Sequence, residues 1–315
     1  MGLIMSFDYT TSLGAAKFEN PIFTASGCAS SGKELSQFFD LRELGALVTK
    51  SIMIKPRSGR ATPRMAETAS GMLNSIGLQG PGIDIFLEKD IPWLQEQGVS
   101  TVVSIAGESV DDYGILARKM RSVTGVKALE VNISCPNVEN RGMVFACNPV
   151  TARAAIEAVR RNIGGELPII AKLSPDVTNI VEIAEEVVAA GADALALINT
   201  VLGMVIDTNT MRPKLAGKTG GLSGPAIRPV AVRAIYQVHA ALPHVSILGM
   251  GGVTNGREAL ELILAGASAV SIGTANFGNP TATMLVKSDL QELLIAKGFN
   301  SLQEAVGYAH RAESQ

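Results

Sequence analysis

The chain has 315 residues, with 27 Lys and Arg set against 29 Asp and Glu, a formal net charge of -2 and a pI near 6.0. No block of basic residues stands out, which excludes the electrostatic footprint of a nucleic-acid binder. Hydrophobic residues make up 47% and aromatics 4% of the chain, with 32 glycines, a composition suited to a large α/β barrel or a doubly wound sheet. Gly, Asp, Lys or Asn interrupts every long apolar run, so no transmembrane helix is expected. The 3 cysteines, Cys28, Cys135 and Cys147, have no CxxC spacing. They are too few for a disulfide framework or for ligating an iron-sulfur cluster, and a cytoplasmic, reducing location is expected.

From Pro21 almost to the C-terminus, short β-rich runs alternate with helical patterns, as in parallel strands covered by helices. In chain order the expected strands are Ile22 to Ala25, Ala46 to Lys50, Thr101 to Ile105, Ala128 to Ile133, Ile169 to Leu173, Ala194 to Ile198, Ser246 to Gly249 and Ala269 to Ile272. Between the later strands, Ile180, Ile183, Val187 and Val188 share one helical face before Gly191. Asn255 with Glu258 resembles a capping box, and the helix it opens ends at Gly266. Eight strand-helix units without a low-complexity linker predict a TIM (β/α)8 barrel forming one domain over residues 1–315.

Two insertions depart from a minimal barrel. Ser51 to Asp90 carries the Gly- and Pro-rich loop Asn74-Ser75-Ile76-Gly77-Leu78-Gln79-Gly80-Pro81-Gly82, suited to a fixed path against a ligand. Val201 to Leu222 reads as a β-excursion around Asp207 to Thr210. Both are β-rich and belong at the active-site face, because sites in this fold lie at the carboxyl ends of the strands.

The residues just past the strands are Ser26 and Gly27, Lys50, Ser104, Asn132 with Cys135, Lys172, Asn199 and Thr200, Gly251-Gly252 and Gly273-Thr274. The glycine-bearing pairs follow the last two strands, where barrels commonly hold a phosphate on backbone N–H groups. Lys50 and Lys172 end apolar strands, and a buried ammonium needs an anion: a ligand, or a structural partner such as Glu130. Asn74, Asn132, Asn199 and Thr200 supply donors and acceptors for a ring with alternating N–H and C=O groups. The thiol of Cys135 in Asn132-Ile133-Ser134-Cys135-Pro136-Asn137 reads equally as a base, a nucleophile or a small buried side chain. The three histidines, His239, His244 and His310, lie outside this set, and no metal site is expected.

Several segments together resemble class 1 dihydroorotate dehydrogenase. They are Asn20-Pro21-Ile22 through Ala25-Ser26-Gly27, Thr62-Pro63-Arg64, Asn74-Ser75-Ile76-Gly77-Leu78, Asn132 to Asn137, Lys172-Leu173-Ser174-Pro175, Ile198-Asn199-Thr200, Gly220-Gly221-Leu222-Ser223-Gly224 and Gly249-Met250-Gly251-Gly252-Val253. They span nearly the whole chain in family order.

The resemblance implies an FMN enzyme that oxidises dihydroorotate to orotate in pyrimidine biosynthesis. It places FMN against Ser26, Lys50, Ser51, Ser104, Asn132, Lys172, Ile198, Gly224, Gly251, Gly252, Gly273 and Thr274. Ser104 stands where many members of the family have Asn. It places the substrate against Lys50, Asn74, Ser75, Ile76, Gly77, Leu78, Asn132, Asn199 and Thr200, with Lys172 at the flavin edge that becomes negative on reduction. Cys135 is then the base that removes the ring proton, and the loop that bears it, through Gly142, a lid.

Asn-Ile-Ser-Cys-Pro-Asn-Val, Thr-Gly-Gly-Leu-Ser-Gly-Pro-Ala and Gly-Thr-Ala-Asn-Phe resemble the NAD-linked subclass 1B more than the fumarate-linked subclass 1A. Subclass 1B implies a homodimer of this chain within a heterotetramer, whose other subunit carries FAD and a 2Fe-2S cluster. Cysteine rather than serine at position 135, and an N-terminus without a membrane-associating extension, argue against the quinone-linked class. A fumarate-linked enzyme, a dihydropyrimidine-type flavin oxidoreductase, a Schiff-base barrel lyase using Lys172 and a non-catalytic subunit are the alternatives.

Overall fold

The structure is a computed structural model that describes residues 7–133, 147–165 and 167–311. All eight expected strands form: β1 (Ile22–Thr24), β2 (Leu47–Val48), β3 (Thr101–Ile105), β4 (Val126–Asn132), β5 (Ile169–Lys172), β6 (Ala194–Leu197), β7 (Ser246–Met250) and β8 (Ala269–Ile272). They pair in the order β1-β8-β7-β6-β5-β4-β3-β2. A parallel bridge between Phe23 and Ala46 joins the two end strands and closes the ring. The strands read as continuous apolar runs because both of their faces are buried, one inside the barrel and one under the helices.

The longer helices are α1 (Ile91–Gln97), α2 (Val110–Met120), α3 (Pro149–Ile163), α4 (Ile180–Ala189), α5 (Arg228–Ala241), α6 (Gly256–Ala265) and α7 (Ala282–Ala296). On α4, Ile180, Ile183 and Val187 are buried against the sheet, Asn179 caps the first turn by accepting from the Val181 N–H, and Gly191 follows at φ +104°. On α6, Asn255 Oδ1 accepts from the Glu258 N–H at 3.1 Å. Glu258 itself reaches back to the N–H of Thr254, one residue earlier than a capping box requires.

The barrel interior has an apolar lower part and a polar upper part. Phe23, Val48, Val102, Ala128, Ile170, Ala194, Ala196, Leu248 and Ala269 fill the lower part. Beneath them, the hairpin of strands Thr11–Leu13 and Ala16–Phe18 contributes Leu13 and Phe18 to the same cluster, with the Phe18 and Phe23 rings 4.7 Å apart. This hairpin is tied to the amino ends of β7 and β8 by a Gly14 N–H bond to Ser246 and a Thr11 hydroxyl bond to the Ser268 carbonyl. The bottom is thereby closed, and access is left to the carboxyl ends, where Ser104, Glu130, Lys172 and Ser271 are buried.

The two insertions, far apart in sequence, form one antiparallel sheet in the order Val201–Met204, Thr219–Ser223, Gly71–Asn74, Met65–Thr68. Its register sets Gly221 opposite Asn74 and Leu202 opposite Gly221. The expected excursion around Asp207 to Thr210 is a small hairpin of Ile206–Asp207 with Arg212–Pro213. Among the described residues no helix is long and apolar enough to cross a membrane.

One half-buried histidine makes stability depend on pH. His239 of α5 lies 4.9 Å from the ring of His310, which stacks on Tyr236 at 3.9 Å. Its Nδ1 is buried without a hydrogen-bond partner among the described residues. Burial, reinforced by the nearby His310 and Arg311, lowers its pKa below the ordinary 6.5. The unfolded chain therefore binds the His239 proton first as pH falls, so this contribution is complete above about pH 6.5 and is lost as pH falls toward the lowered folded value. The melting temperature is expected to drop between pH 7 and pH 5, and His239→Phe to flatten that slope; calorimetry across this range checks it, and equal slopes would contradict it.

Candidate functional site at the carboxyl ends of the strands

Two cavities meet at the open end of the barrel. The smaller, about 280 Å³, is lined by the residues after β5 to β8, including Lys172, Ile198, Gly224, Gly251, Gly252, Gly273 and Thr274. The larger, about 650 Å³, is lined by Lys50, Ser51, Asn74, Ile76, Gly77, Leu78 and Asn132. Ser26, Cys28, Asn199, Thr200, Ser223 and Thr274 line both, so the two are compartments of one site.

The smaller compartment is a cradle that only glycine permits. Gly252, at φ +73°, would bring a Cβ to 2.7 Å from the Gly224 carbonyl oxygen, and Gly251, at φ +135°, to 2.8 Å from the Ala231 Cβ. Gly224, at φ +93°, approaches Gly71 just as closely. The turns after β7 and before α5 can thus lie against each other and present backbone rather than side chains. Thr274 donates its hydroxyl to Ser223 at 2.7 Å, tying the turn after β8 to the insertion sheet. The Ser271 hydroxyl, 1% exposed, lines this compartment and has no hydrogen-bond partner among the described residues.

The larger compartment is walled by the insertion loop. Two bonds between Arg57 and Gly80, at 2.9 and 3.1 Å, and one from the Arg60 N–H to the Ile76 carbonyl, at 2.9 Å, pin the loop along its length. Leu78 takes a left-handed φ of 55°. Asn74 reaches the wall through the sheet register, its Nδ2 donating to the Gly221 carbonyl at 3.4 Å.

A hydrogen-bonded chain lies beneath both compartments. Lys172, 3% exposed, donates to Ser26 Oγ at 2.9 Å and lies 3.7 Å from Oε1 of the fully buried Glu130. Ser104 Oγ bonds the same Oε1 at 2.8 Å and Ser51 Oγ at 2.9 Å, and Asn132 Nδ2 donates to Ser51 Oγ at 3.1 Å. Tyr113 fixes the end of β4 by donating to the Asn132 carbonyl at 2.9 Å. Burial pushes the Cys28 thiol pKa up while Lys172 and Lys50 pull it down, so both cations act at the seam between the compartments.

The structure brings together nearly all the residues singled out from the sequence, with two exceptions. Ser104 does not line either compartment; it is fully buried and its hydroxyl is spent between Ser51 and Glu130. Ser75 lines neither compartment; it is fully buried, its Oγ accepting from Arg60 at 3.3 Å and its N–H bonding the Arg64 carbonyl at 2.8 Å. Cys135 lies outside the described residues, as does Gly142 at the end of the proposed lid. Cys28, without an assigned role from sequence, lines both compartments, whereas Cys147 is exposed. Sequence reasoning missed Arg57, which lines the larger compartment and pairs with Glu108; its signal was a cation in the turn Lys55-Pro56-Arg57. For Lys172 the structural partner Glu130 and the cavity position coexist.

A closed parallel barrel with two joined compartments at the carboxyl ends of its strands, floored by a buried lysine, defines a (β/α)8 enzyme. The profile of the dihydroorotate dehydrogenase family matches residues 9–294. The chain belongs to that family. It is 48% identical to a protein of Desulforudis audaxviator over 98% of this chain and 99% of the relative. It is 47% identical to one of Desulforamulus reducens, over 97% and 100%, and 46% identical to one of Bacillus pumilus, over 96% of each. All three are named dihydroorotate dehydrogenase B (NAD(+)), catalytic subunit.

Gly252→Ala is expected to close the cradle, because the new methyl meets backbone on two sides: the Gly224 carbonyl at 2.7 Å and the Arg228 nitrogen at 3.1 Å. With the cradle as the phosphate site of the flavin that the resemblance implies, flavin content of the purified variant, read from its absorbance, should fall at least about tenfold while the far-ultraviolet dichroism of the barrel is kept. Full flavin occupancy would remove the cradle assignment.

Proposed function

We propose that this chain is the FMN-bearing catalytic subunit of an NAD-linked dihydroorotate dehydrogenase, oxidising dihydroorotate to orotate in pyrimidine biosynthesis. The observation that carries the reading is the pair of joined compartments, one a glycine cradle over Lys172 and the other a chamber lined by Lys50 and amides, in a chain 43–48% identical to proteins with that name.

The residues present fit FMN. The cradle of Gly224, Gly251, Gly252, Gly273 and Thr274 suits its phosphate, and the unpartnered Ser271 hydroxyl offers a hydrogen bond inside the same compartment. Ser26, Ser51, Asn132, Ile198 and Lys172 would hold the rest, with the Lys172 ammonium in a site removed from water. FMN, when bound, supplies the two-electron acceptor for ring oxidation. Lys50 would anchor the substrate carboxylate, while Asn74, Asn132, Asn199 and Thr200 would fix the ring through donors and acceptors and Ile76 to Leu78 would close over it. Cys135 follows Asn132 by three residues and would take the ring proton as thiolate. An unperturbed thiol, with a pKa of about 8.5, is mostly protonated at neutral pH, so activity should rise with pH through the thiol range.

A separate subunit carrying FAD and a 2Fe-2S cluster would take the electrons on to NAD, with this chain as a homodimer in a cytoplasmic heterotetramer. Among the described residues no group of His, Cys, Asp or Glu could hold a metal ion.

Anaerobic dihydroorotate is expected to bleach the flavin of the purified chain, and reoxidation by NAD to require the partner subunit. Absence of bleaching would end the reading, and turnover with fumarate by the chain alone would move it to the fumarate-linked subclass. Cys135→Ala should keep FMN and lose most turnover, at least about a hundredfold in kcat at neutral pH, as the loss of a general base requires. Lys50→Ala should raise KM for dihydroorotate by more than about tenfold through loss of a charge-assisted contact. Stopped-flow and steady-state kinetics measure both, and near-normal values would remove those assignments.

A further inference from the structure

We propose that Glu130 is a positioning residue: one buried carboxylate that sets both the field of Lys172 under the cofactor compartment and the orientation of Asn132 in the substrate compartment. The inference rests on the flavin reading above and extends it to a residue outside either compartment's lining.

Glu130 projects from β4 into the barrel interior and is fully buried. Its Oε1 carries two limbs, the Lys172 ammonium at 3.7 Å and the Ser104 hydroxyl at 2.8 Å. Its Oε2 has no hydrogen-bond partner among the described residues. A carboxylate only accepts, so Ser104 must donate to it. Each hydroxyl has one proton. Ser104 Oγ must therefore accept from Ser51, and Ser51 Oγ in turn accepts from Asn132 Nδ2. The direction of every bond in the chain is decided at Glu130, and with it which end of the Asn132 amide faces Ser51.

The second limb is electrostatic. Lys172 donates to Ser26 and lines the smaller compartment, so the charge that a cofactor meets there is that of the ammonium partly offset by Glu130. A carboxylate whose only role was to neutralise Lys172 would not need the serine chain to Asn132.

The test compares FMN-loaded wild type, Glu130→Gln and Ser104→Ala. Glu130→Gln keeps the side-chain shape, removes the charge and lets the chain run in either direction. Ser104→Ala cuts the limb to Asn132 but leaves the Lys172–Glu130 pair. The readouts are the midpoint potential of bound FMN and the affinity for orotate, measured from its perturbation of the flavin spectrum. Glu130→Gln is expected to shift the oxidised-to-reduced equilibrium at least about tenfold toward reduced flavin, about 30 mV for a two-electron couple, and to weaken orotate. Ser104→Ala is expected to weaken orotate several-fold at unchanged potential.

Wild-type potential and orotate affinity in Glu130→Gln, with only a lower melting temperature, would make the residue structural and overturn the proposal. So would a potential in Ser104→Ala shifted as far as in Glu130→Gln. If Glu130→Gln fails to fold, unaltered orotate affinity in Ser104→Ala overturns it alone. A wild-type chain that binds no FMN, or whose FMN dihydroorotate does not reduce, instead overturns the underlying reading, and the wild-type arm separates the two.

Discussion

A lysine ammonium held out of water is the constraint around which the upper half of this barrel is arranged. Lys172 ends β5 inside the ring, 3% exposed. Leaving one partner of such a buried pair alone costs about 3–5 kcal/mol. The neighbouring interior positions are accordingly polar: Glu130 on β4, Ser104 on β3, and Ser26 just after β1. Below this level small apolar side chains such as Ala128, Ala194, Ala196 and Ala269 fill the barrel, and the N-terminal hairpin seals its end. Polarity is thus confined to the end where the strands deliver their carboxyl termini, and the cavity forms there because the other end is already full.

The same confinement separates positioning from contact. Residues that line the compartments, such as Lys50, Asn74, Asn199 and Thr200, sit on strand ends and insertions. The supports lie deeper: Tyr113 on α2 holds the Asn132 carbonyl, and Ser104 joins Ser51, and through it Asn132, to Glu130. A site built in this way is rigid because its supports are locked by packing.

Much of this was legible in the chain. All eight strands could be read because a strand buried on both faces leaves an apolar run bounded by helix signals, and those bounds also located the strand-end residues. The glycine cradle was legible as pairs after the last two strands, although the close approach to Gly224 and Gly71 was not. Three things stayed hidden for a common reason. Which way Ser75 and Ser104 point, and that Cys28 faces both compartments, depend on packing between segments far apart in sequence. Pattern reading locates a residue along its own strand or loop, but the opposite wall is supplied by another part of the fold.

The merged insertion sheet has a consequence for how this architecture can vary. Gly221 sits opposite Asn74 in the register, and a Cβ at Gly221 would lie 2.0 Å from Thr200 Oγ1. Strands from the two excursions therefore share one ruler. Sliding either by a residue would turn its side chains to the other face and displace Asn74 and Thr200 together. The two loops form a single inheritable module: a graft that transfers one without the other carries half a wall, so changes in what the chamber accepts are expected to arise as matched pairs across both insertions.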